Sequence, residues 1–251
     1  MMGLPEAFFA HPIAHRAYHD LAAGRPENSR AAVRAAVAAG YGIEIDLQPS
    51  ADGVPMVFHD YDLKRLTGTS GRVCGLTAAV LAATPLLGGD EGIPTLAEVL
   101  EIVAGQVPLL IEIKDQDGAM GPSVGALEAA AGQVLASYTG PFAVMSFNPH
   151  SVAAFHALLP DVPVGLTTSA YDAAGWPLLP VKMRDQLRDI PDYDRVGACF
   201  ISHEAADLGA PRVADLKAEG AAILCWTIRS PEAEATARKV AQNITFEGYA
   251  A

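Results

Sequence analysis

The stretch Ile43-Glu44-Ile45-Asp46-Leu47 alternates aliphatic and acidic residues, which is the pattern of a β-strand with two unlike faces. Glu44 and Asp46 point to one face of this strand, and the three aliphatic residues point to the other. Two like charges side by side on an otherwise apolar strand repel each other and are costly to bury. A cation bound between them removes that cost. The stretch therefore predicts a strand that carries a cation site.

Outward from this strand, short β-rich runs alternate with alanine-rich helical runs, as in successive βα units. The predicted strands are residues 9–14, 42–48, 108–114, 142–146, 162–166, 197–201, 222–227 and 243–246. The predicted helices lie near residues 28–39, 95–104, 122–137, 149–158, 183–189, 211–219 and 231–240. A chain of 251 residues has the usual length of one barrel. We therefore predict the α/β class, with a single (β/α)8 TIM-barrel domain over residues 1–251.

One connection is too long for a simple βα loop. Between about residues 50 and 93, the chain contains several glycine-rich turns and no strong period. Excursions of this kind are usually functional loops or small caps. We therefore predict a small insertion after the second strand, and we interpret it as a lid.

The charge balance limits the partners that the protein can bind. The chain has 17 basic and 29 acidic residues, so its net charge is −12. Such a surface does not attract nucleic acid or an anionic membrane, and we expect a small-molecule substrate instead. The first residues lack the pattern of a secretory signal, and no apolar run is long enough for a membrane span. We expect a cytoplasmic protein without an integral membrane segment. The oligomeric state is left open.

Residues suited to phosphate chemistry flank the central strand. His15-Arg16 and Pro26-Glu27-Asn28-Ser29 precede it, and Asp52-Gly53 and His59-Asp60 follow it. Two histidines, an arginine and a carboxylate pair within about one βα unit are typical of metal-assisted phosphoryl transfer.

The order of these motifs resembles the glycerophosphodiester phosphodiesterase family. The resemblance covers roughly residues 10 to 230 and includes these motifs: His15-Arg16-Ala17, Pro26-Glu27-Asn28-Ser29, Glu44-Ile45-Asp46, His59-Asp60, Ile111-Glu112-Ile113-Lys114, Ser146-Phe147-Asn148 and Trp226-Thr227-Ile228. Ala17 replaces a glycine that is usual in the family, and Arg229 replaces a usual asparagine. The ending Asn243–Gly248 also lacks the usual Thr-Asp-Tyr/Arg-Pro close.

The resemblance, together with strand alternation, implies roles for individual residues at the carboxyl ends of the barrel strands. Glu44, Asp46 and Glu112 are the expected ligands of one divalent cation, Mg²⁺ or Ca²⁺, because the set has only oxygen donors. His15 and His59 are expected to act as general acid and base. The remaining candidates are expected to bind phosphate or substrate: Arg16, Lys114, Trp226 and His203.

Three functions are compatible with this interpretation. The leading hypothesis is a hydrolase that cleaves glycerophosphodiesters to sn-glycerol 3-phosphate and an alcohol. A lysophospholipase D or sphingomyelinase D-like activity is the second, and it needs an exposed apolar rim for a lipid tail. The third is a catalytically silent binding barrel. For the leading hypothesis, either the glycerol 2-hydroxyl or a water molecule can attack phosphorus, and the sequence leaves both routes open.

Overall fold

A computed structural model of the protein describes residues 3–251, and it contains a closed barrel of eight parallel strands. The barrel strands in chain order are β1 (Ile13–Ala14), β2 (Gly42–Pro49), β4 (Leu109–Ile113), β5 (Phe142–Ser146), β6 (Val164–Thr168), β7 (Phe200–Glu204), β8 (Ala222–Ile228) and β9 (Asn243–Phe246). The barrel closes because Ile13 pairs with Gly42 of β2 on one side and with Thr245 of β9 on the other. The predicted (β/α)8 TIM-barrel fold is confirmed.

Helices surround the barrel and follow most of its strands. They are α1 (Ala7–Ala10), α2 (Arg30–Ala39), α3 (Lys64–Thr67), α4 (Ala78–Ala82), α5 (Leu96–Val103), α6 (Ala126–Leu135), α7 (Pro149–Leu158), α8 (Val181–Arg188), α9 (Pro211–Ala218) and α10 (Pro231–Ala237). The Ser29 hydroxyl caps α2, and Thr95 with Glu98 forms a capping box that starts α5. Sequence analysis therefore locates these helix starts to within one or two residues.

The predicted first strand is wrong over most of its length. Residues 7–10 form the short helix α1, and β1 is only Ile13–Ala14. Phe8 on this helix is fully buried, and it packs with Ile13, Leu110 and Phe200. The helix α1 therefore closes the amino end of the barrel with the Phe8 side chain.

The position of β7 also differs from the prediction. The strand begins at Phe200 and ends at Glu204, three residues later than predicted, because Gly197 adopts a left-handed turn conformation. Phe200 enters the barrel opposite Gly165 of β6, where a Cβ atom would lie 2.5 Å from the Phe200 ring. With its amino end filled in this way, the barrel has room for a ligand at the carboxyl ends of its strands.

Residues 50–93 form an insertion with a small core of its own. The strand β3 (Pro55–Val57) pairs antiparallel with the end of β2. Met56, Phe58 and Leu81 are buried in a cluster separate from the main core. The hairpin between β2 and β3 places His59 beside the end of β2. This insertion therefore supplies a side chain to the barrel mouth.

Candidate active site

Three buried carboxylates meet at the barrel mouth. Glu44 and Asp46 lie on β2, and Glu112 lies on β4, where it pairs directly with Asp46. All three residues are at most 6% exposed, and their ligand oxygens lie within 4.8 Å of one another. Strand alternation thus brings together the three acids that sequence analysis selected.

Lys114 is the cation closest to this acidic cluster. Its Nζ lies 2.7 Å from Asp46 and 2.6 Å from Glu112. Burial alone would lower the pKa of Lys114, but the two carboxylates raise it, so that the side chain is charged. The Lys114 ammonium, in turn, holds the pKa of Asp46 far below its usual range despite the burial of that carboxyl group.

The negative charge of Glu44 is less well compensated than that of Asp46. One of its oxygens accepts a hydrogen bond of 2.8 Å from the Arg16 backbone N–H. Burial raises the pKa of Glu44 well above its usual value, and repulsion from Asp46 and Glu112 raises it further. Three carboxylates against the Lys114 ammonium and the more distant Arg16 guanidinium leave excess negative charge in a buried site. The all-oxygen cluster therefore fits a divalent cation, which would relieve this repulsion.

His15 is held by a carboxylate from the other end of the chain. Its Nδ1 lies 2.5 Å from Glu247, and Arg229 bonds the other Glu247 oxygen at 2.7 Å. The hydrogen bond from His15, together with the His19 imidazole 3.4 Å away, keeps the pKa of Glu247 very low, so Glu247 is ionised and can only accept. Nδ1 of His15 therefore carries the proton, and Nε2 is left for the cavity that His15 lines.

His59 has an equivalent arrangement on the insertion. Its Nδ1 lies 2.7 Å from Asp60, and Arg65 bonds both Asp60 oxygens at 2.7 and 2.8 Å. Arg65 also binds Glu27, which accepts a hydrogen bond of 2.7 Å from Arg16. Each of the two histidines is thus backed by a carboxylate, and each carboxylate is held by an arginine.

The backbone that follows His15 is unusual. Arg16 and Ala17 both adopt left-handed conformations, with φ of 51° and 64°. Such a conformation suits glycine better than alanine. The bend nevertheless lets the Ala17 N–H donate to the Glu44 carbonyl at 2.9 Å. It also places the Arg16 Nε 3.8 Å from Asp46.

Aromatic side chains form one wall of the cavity. Trp226 lies at the end of β8, and its Nε1 donates to the Ser202 carbonyl at 3.0 Å. Phe147 packs edge-on against both Trp226 and Trp176, with ring centroids 5.6 and 4.9 Å away. The cavity has a volume of about 250 Å³. Its lining includes His15, Arg16, His59, Lys114, Trp226 and the three acids.

His203 is the predicted site residue that the structure does not bring to this cavity. It lies within β7, and its neighbour Ser202 faces the cavity instead. The His203 ring is buried between Thr168, at 2.8 Å, and Asp207, at 3.2 Å. Burial lowers its pKa, so the ring is held neutral as a packing element. The difference arises because the predicted strand ended at residue 201, whereas β7 continues through His203. Alternation along the strand then places His203 on the face opposite Ser202, away from the cavity.

Sequence analysis did not identify Glu247, Arg65 or Trp176 as parts of the site. Glu247 was noted only as part of an unusual chain ending, and its distance of 232 residues from His15 gave no sign of contact. Asp60 lay within the quoted motif His59-Asp60 but had no assigned role. Trp176 lies in the loop after β6, where no pattern singled it out.

Fold and site together define a (β/α)8 barrel whose mouth holds three buried carboxylates that could bind a cation, two carboxylate-backed histidines, a lysine and an arginine. Residues 15–243 match the model of the glycerophosphoryl diester phosphodiesterase family. The chain therefore belongs to this family, as its motifs predicted.

Individual relatives agree with this assignment. Glycerophosphodiester phosphodiesterase 1 of Bos taurus is 39% identical over 113 residues, which are 41% of this chain. The match covers only 33% of the bovine protein. YhdW of Bacillus subtilis is 29% identical over 233 residues, 89% of this chain and 88% of the relative. An Oleispira antarctica phosphodiesterase, solved in complex with the product sn-glycerol-3-phosphate, superposes with a TM-score of 0.75. It is 26% identical, and the match covers 96% of this chain and 94% of that chain.

Replacing Glu247 by glutamine should lower kcat by about 10- to 100-fold, because a carboxylate that orients an imidazole is lost. The hydrogen bond to Glu247 raises the pKa of His15 against the larger effect of burial, so its loss should lower that pKa further. The limb of the pH–rate profile that reports His15 should then move to lower pH. Glu232→Gln, an exposed acid on α10, is the control. An unchanged kcat and pH profile in Glu247→Gln would exclude a positioning role.

Proposed function

We propose that the protein is a metal-dependent phosphoric diester hydrolase that cleaves glycerophosphodiesters to sn-glycerol 3-phosphate and an alcohol. One observation carries this proposal: two histidines with fixed Nδ1 partners line the same cavity as three buried carboxylates. This arrangement offers a proton donor and a proton acceptor beside a cation site. The product held by the Oleispira antarctica relative supports the same substrate class.

The side chains that line the cavity are suited to different steps of the reaction. Arg16, with its forked donors, and Lys114, as a point charge, are suited to bind the phosphate oxygens. His15 and His59 are suited to remove the proton of the attacking oxygen and to protonate the leaving alcohol. Trp226 contributes an apolar wall against the glycerol or the leaving group.

Glu44, Asp46 and Glu112 would hold the cation, and we propose Mg²⁺ or Ca²⁺ because both prefer oxygen ligands. When bound, such a cation neutralises charge that develops on the phosphoryl oxygens. Lys114, which bonds two of the three acids, would then be free to turn one N–H toward the phosphate.

The function is tested with the metal-loaded protein and sn-glycero-3-phosphocholine. ³¹P NMR should show conversion of the diester to sn-glycerol 3-phosphate, with choline released in equal amount. Glycerol release with formation of phosphocholine would contradict the proposed bond cleavage. No turnover with Mg²⁺ or Ca²⁺ would favour the silent binding barrel.

A second arm of the same experiment separates the two routes of attack. If the glycerol 2-hydroxyl attacks phosphorus, the 2-deoxy analogue should bind with similar KM and react orders of magnitude more slowly. We propose this route. Normal turnover of the deoxy analogue would instead identify water as the attacking group.

Among residues 3–251, no helix has the length and apolar character needed to cross a bilayer. We propose a cytoplasmic location.

A further inference from the structure

A second group of metal-ligating side chains lies behind His15. It consists of His15, His19 and Glu247, and one ligand atom from each of these residues lies within 4.8 Å of the other two. The Nδ1 of His15 lies 2.5 Å from Oε2 of Glu247, and the Nε2 of His19 lies 3.4 Å from the same oxygen. Two imidazole nitrogens thus meet around one carboxylate oxygen, apart from the acidic cluster.

The Nε2 of His19 is the atom of this group that has no bond of its own. It is shielded from solvent, and within residues 3–251 it has no hydrogen-bond partner. Its contact with Glu247 is close enough for a hydrogen bond but lacks the alignment of one. A buried polar nitrogen is normally bonded, because an unbonded one is costly to remove from water. This nitrogen is therefore available as a ligand to a cation.

The spacing and the chemistry of the three ligands suit Zn²⁺. Zinc holds nitrogen and oxygen ligands at about 2.0–2.1 Å in a tetrahedron, so that two neighbouring ligand atoms lie about 3.4 Å apart. The distance between His19 and Glu247 already has this value, and His15 and Glu247 need to separate by about 1 Å. Two histidines and a glutamate are a known zinc donor set, whereas Mg²⁺ and Ca²⁺ take oxygen ligands.

Arg229 holds the carboxylate in place from the outer side. It bonds Oε1 of Glu247 at 2.7 Å, so that Oε2 is left for a cation between the two histidines. Side chains that bind a metal are commonly oriented by outer partners of this kind.

The group can be reached without passing through the catalytic cavity. A separate cavity of about 450 Å³ is lined by His19 and by Gly248, the residue after Glu247. None of the residues that line this second cavity also lines the catalytic cavity. A cation, with a water molecule as its fourth ligand, can therefore enter beside His19 while substrate is bound.

We propose that His15, His19 and Glu247 form a second metal site, which binds Zn²⁺ and thereby inhibits the enzyme. The binding of zinc rests on these three residues alone. The inhibition rests on the proposed function, because it requires the proton-transfer role of His15.

Inhibition follows from the position of one proton on the His15 ring. Without zinc, the neutral ring carries its proton on Nδ1, beside Glu247, and Nε2 has a lone pair for the cavity. A bond from Nδ1 to zinc uses the lone pair of Nδ1, so the single ring proton moves to Nε2. A general acid or base must both take up and release a proton at that atom. The zinc-bound ring has no lone pair left to accept one, and it releases its own proton far less readily than an imidazolium does.

Zinc binding is measured by titration against a chromophoric chelator in millimolar Mg²⁺. The wild type and Glu44→Gln should bind one equivalent of Zn²⁺ with the same affinity, because Glu44 belongs to the acidic cluster. His19→Gln should bind zinc about 100-fold more weakly, since the loss of even an outer partner of a metal site costs about 10- to 100-fold. His150→Gln is the matched control and should bind zinc like the wild type. Equal zinc affinity in His19→Gln and the wild type would overturn the proposal.

NMR of the imidazole nitrogens provides a readout that does not depend on activity. Two-bond ¹H–¹⁵N correlations should show the His15 proton on Nδ1 before zinc is added and on Nε2 afterwards. In His19→Gln, the same zinc concentration should leave the proton on Nδ1. A His15 proton that stayed on Nδ1 in zinc-loaded wild type would overturn the proposal.

Kinetics with glycerophosphocholine and millimolar Mg²⁺ test the inhibition. Saturating zinc should lower the kcat of the wild type by about 10²-fold or more, toward that of His15→Ala. The KM should change little, because zinc enters outside the catalytic cavity. Within His19→Gln, kcat should be the same with and without this zinc concentration, whereas His150→Gln should respond like the wild type. Inhibition that excess Mg²⁺ reverses would place the zinc in the acidic cluster and overturn the proposal.

The outcomes separate this proposal from the function on which its second part rests. Zinc that binds through His19 and moves the His15 proton without lowering kcat would overturn the inhibition and the proton-transfer role of His15. No turnover of glycerophosphocholine with or without zinc would overturn the hydrolase function. The titration and the NMR spectra would still decide whether the zinc site exists.

Discussion

Removal of divalent cations by a chelator should abolish turnover of glycerophosphocholine, and Mg²⁺ or Ca²⁺ should restore it. Glu44→Gln should lower kcat/KM on the order of 10³-fold at a metal concentration that saturates the wild type, because several kcal/mol of charge stabilisation depend on the cation. The glutamine oxygen can still accept from the Arg16 N–H, so the local backbone is kept. Activity in excess chelator, with no metal by elemental analysis, would contradict metal dependence.

Thermal unfolding supplies a second measurement of the same site. Metal at 100 times its dissociation constant stabilises the native state by about 2.7 kcal/mol. For a chain of this size, the Tm should rise by about 5–10 °C. Glu44→Gln should lose most of this rise, whereas Glu101→Gln, an exposed acid on α5, should keep it.

In the absence of metal, we do not expect Glu44→Gln to reduce the thermal stability of the protein. Repulsion from Asp46 and Glu112 acts on Glu44 when no metal is bound. Without metal, Glu44→Gln should therefore be at least as stable as the wild type, although it is far less active. A metal-free variant that was several degrees less stable would show that Glu44 is mainly a structural residue.

His15→Ala and His59→Ala should each lower kcat by about 10²- to 10⁴-fold, because each removes one proton-transfer group. Circular dichroism should show that both variants are folded, since both side chains lie at the barrel mouth and outside the buried core. The wild-type rate should depend on pH in a bell shape that reports one acid and one base. Each variant should lose one limb of that bell.

His150→Ala is the matched control for the histidine variants. His150 lies near the start of α7, is partly exposed and does not line the cavity, so that its loss should leave kcat nearly unchanged. Near wild-type kcat in either His15→Ala or His59→Ala would refute the assigned role. The kcat of Asp60→Asn should fall less than that of His59→Ala if the Asp60 carboxylate acts only by orienting the His59 imidazole.

Much of the barrel and of its acidic cluster could be predicted because both depend on short-range rules. Alternation along a strand is a local property, and it places Glu44 with Asp46 and Glu112 with Lys114. The parallel barrel then aligns the two strands, and Asp46 meets Glu112. The capping box of Thr95 and Glu98, which starts α5, is equally local.

Only the tertiary structure decided which distant residues complete the site. Glu247 reaches His15 because β9 pairs with β1 when the barrel closes, and no local pattern encodes that closure. Trp176 reaches the cavity because its loop folds back over the barrel mouth. An apolar groove lined by Leu178 likewise forms only where the insertion meets the loops after β4 and β6.

The same distinction explains the two errors in the predicted strands. The run near residues 9–14 is apolar enough for a strand. Its first residues instead belong to the helix α1, because Phe8 on that helix is buried at the amino end of the barrel. Because β7 extends through His203, alternation places Ser202 on the cavity side and His203 on the opposite side. Sequence periodicity by itself determined the fold class and the residues that share a strand face. Packing and barrel closure determined where each strand begins and which side chains from distant strands and loops meet, because those contacts form only when the whole chain is folded.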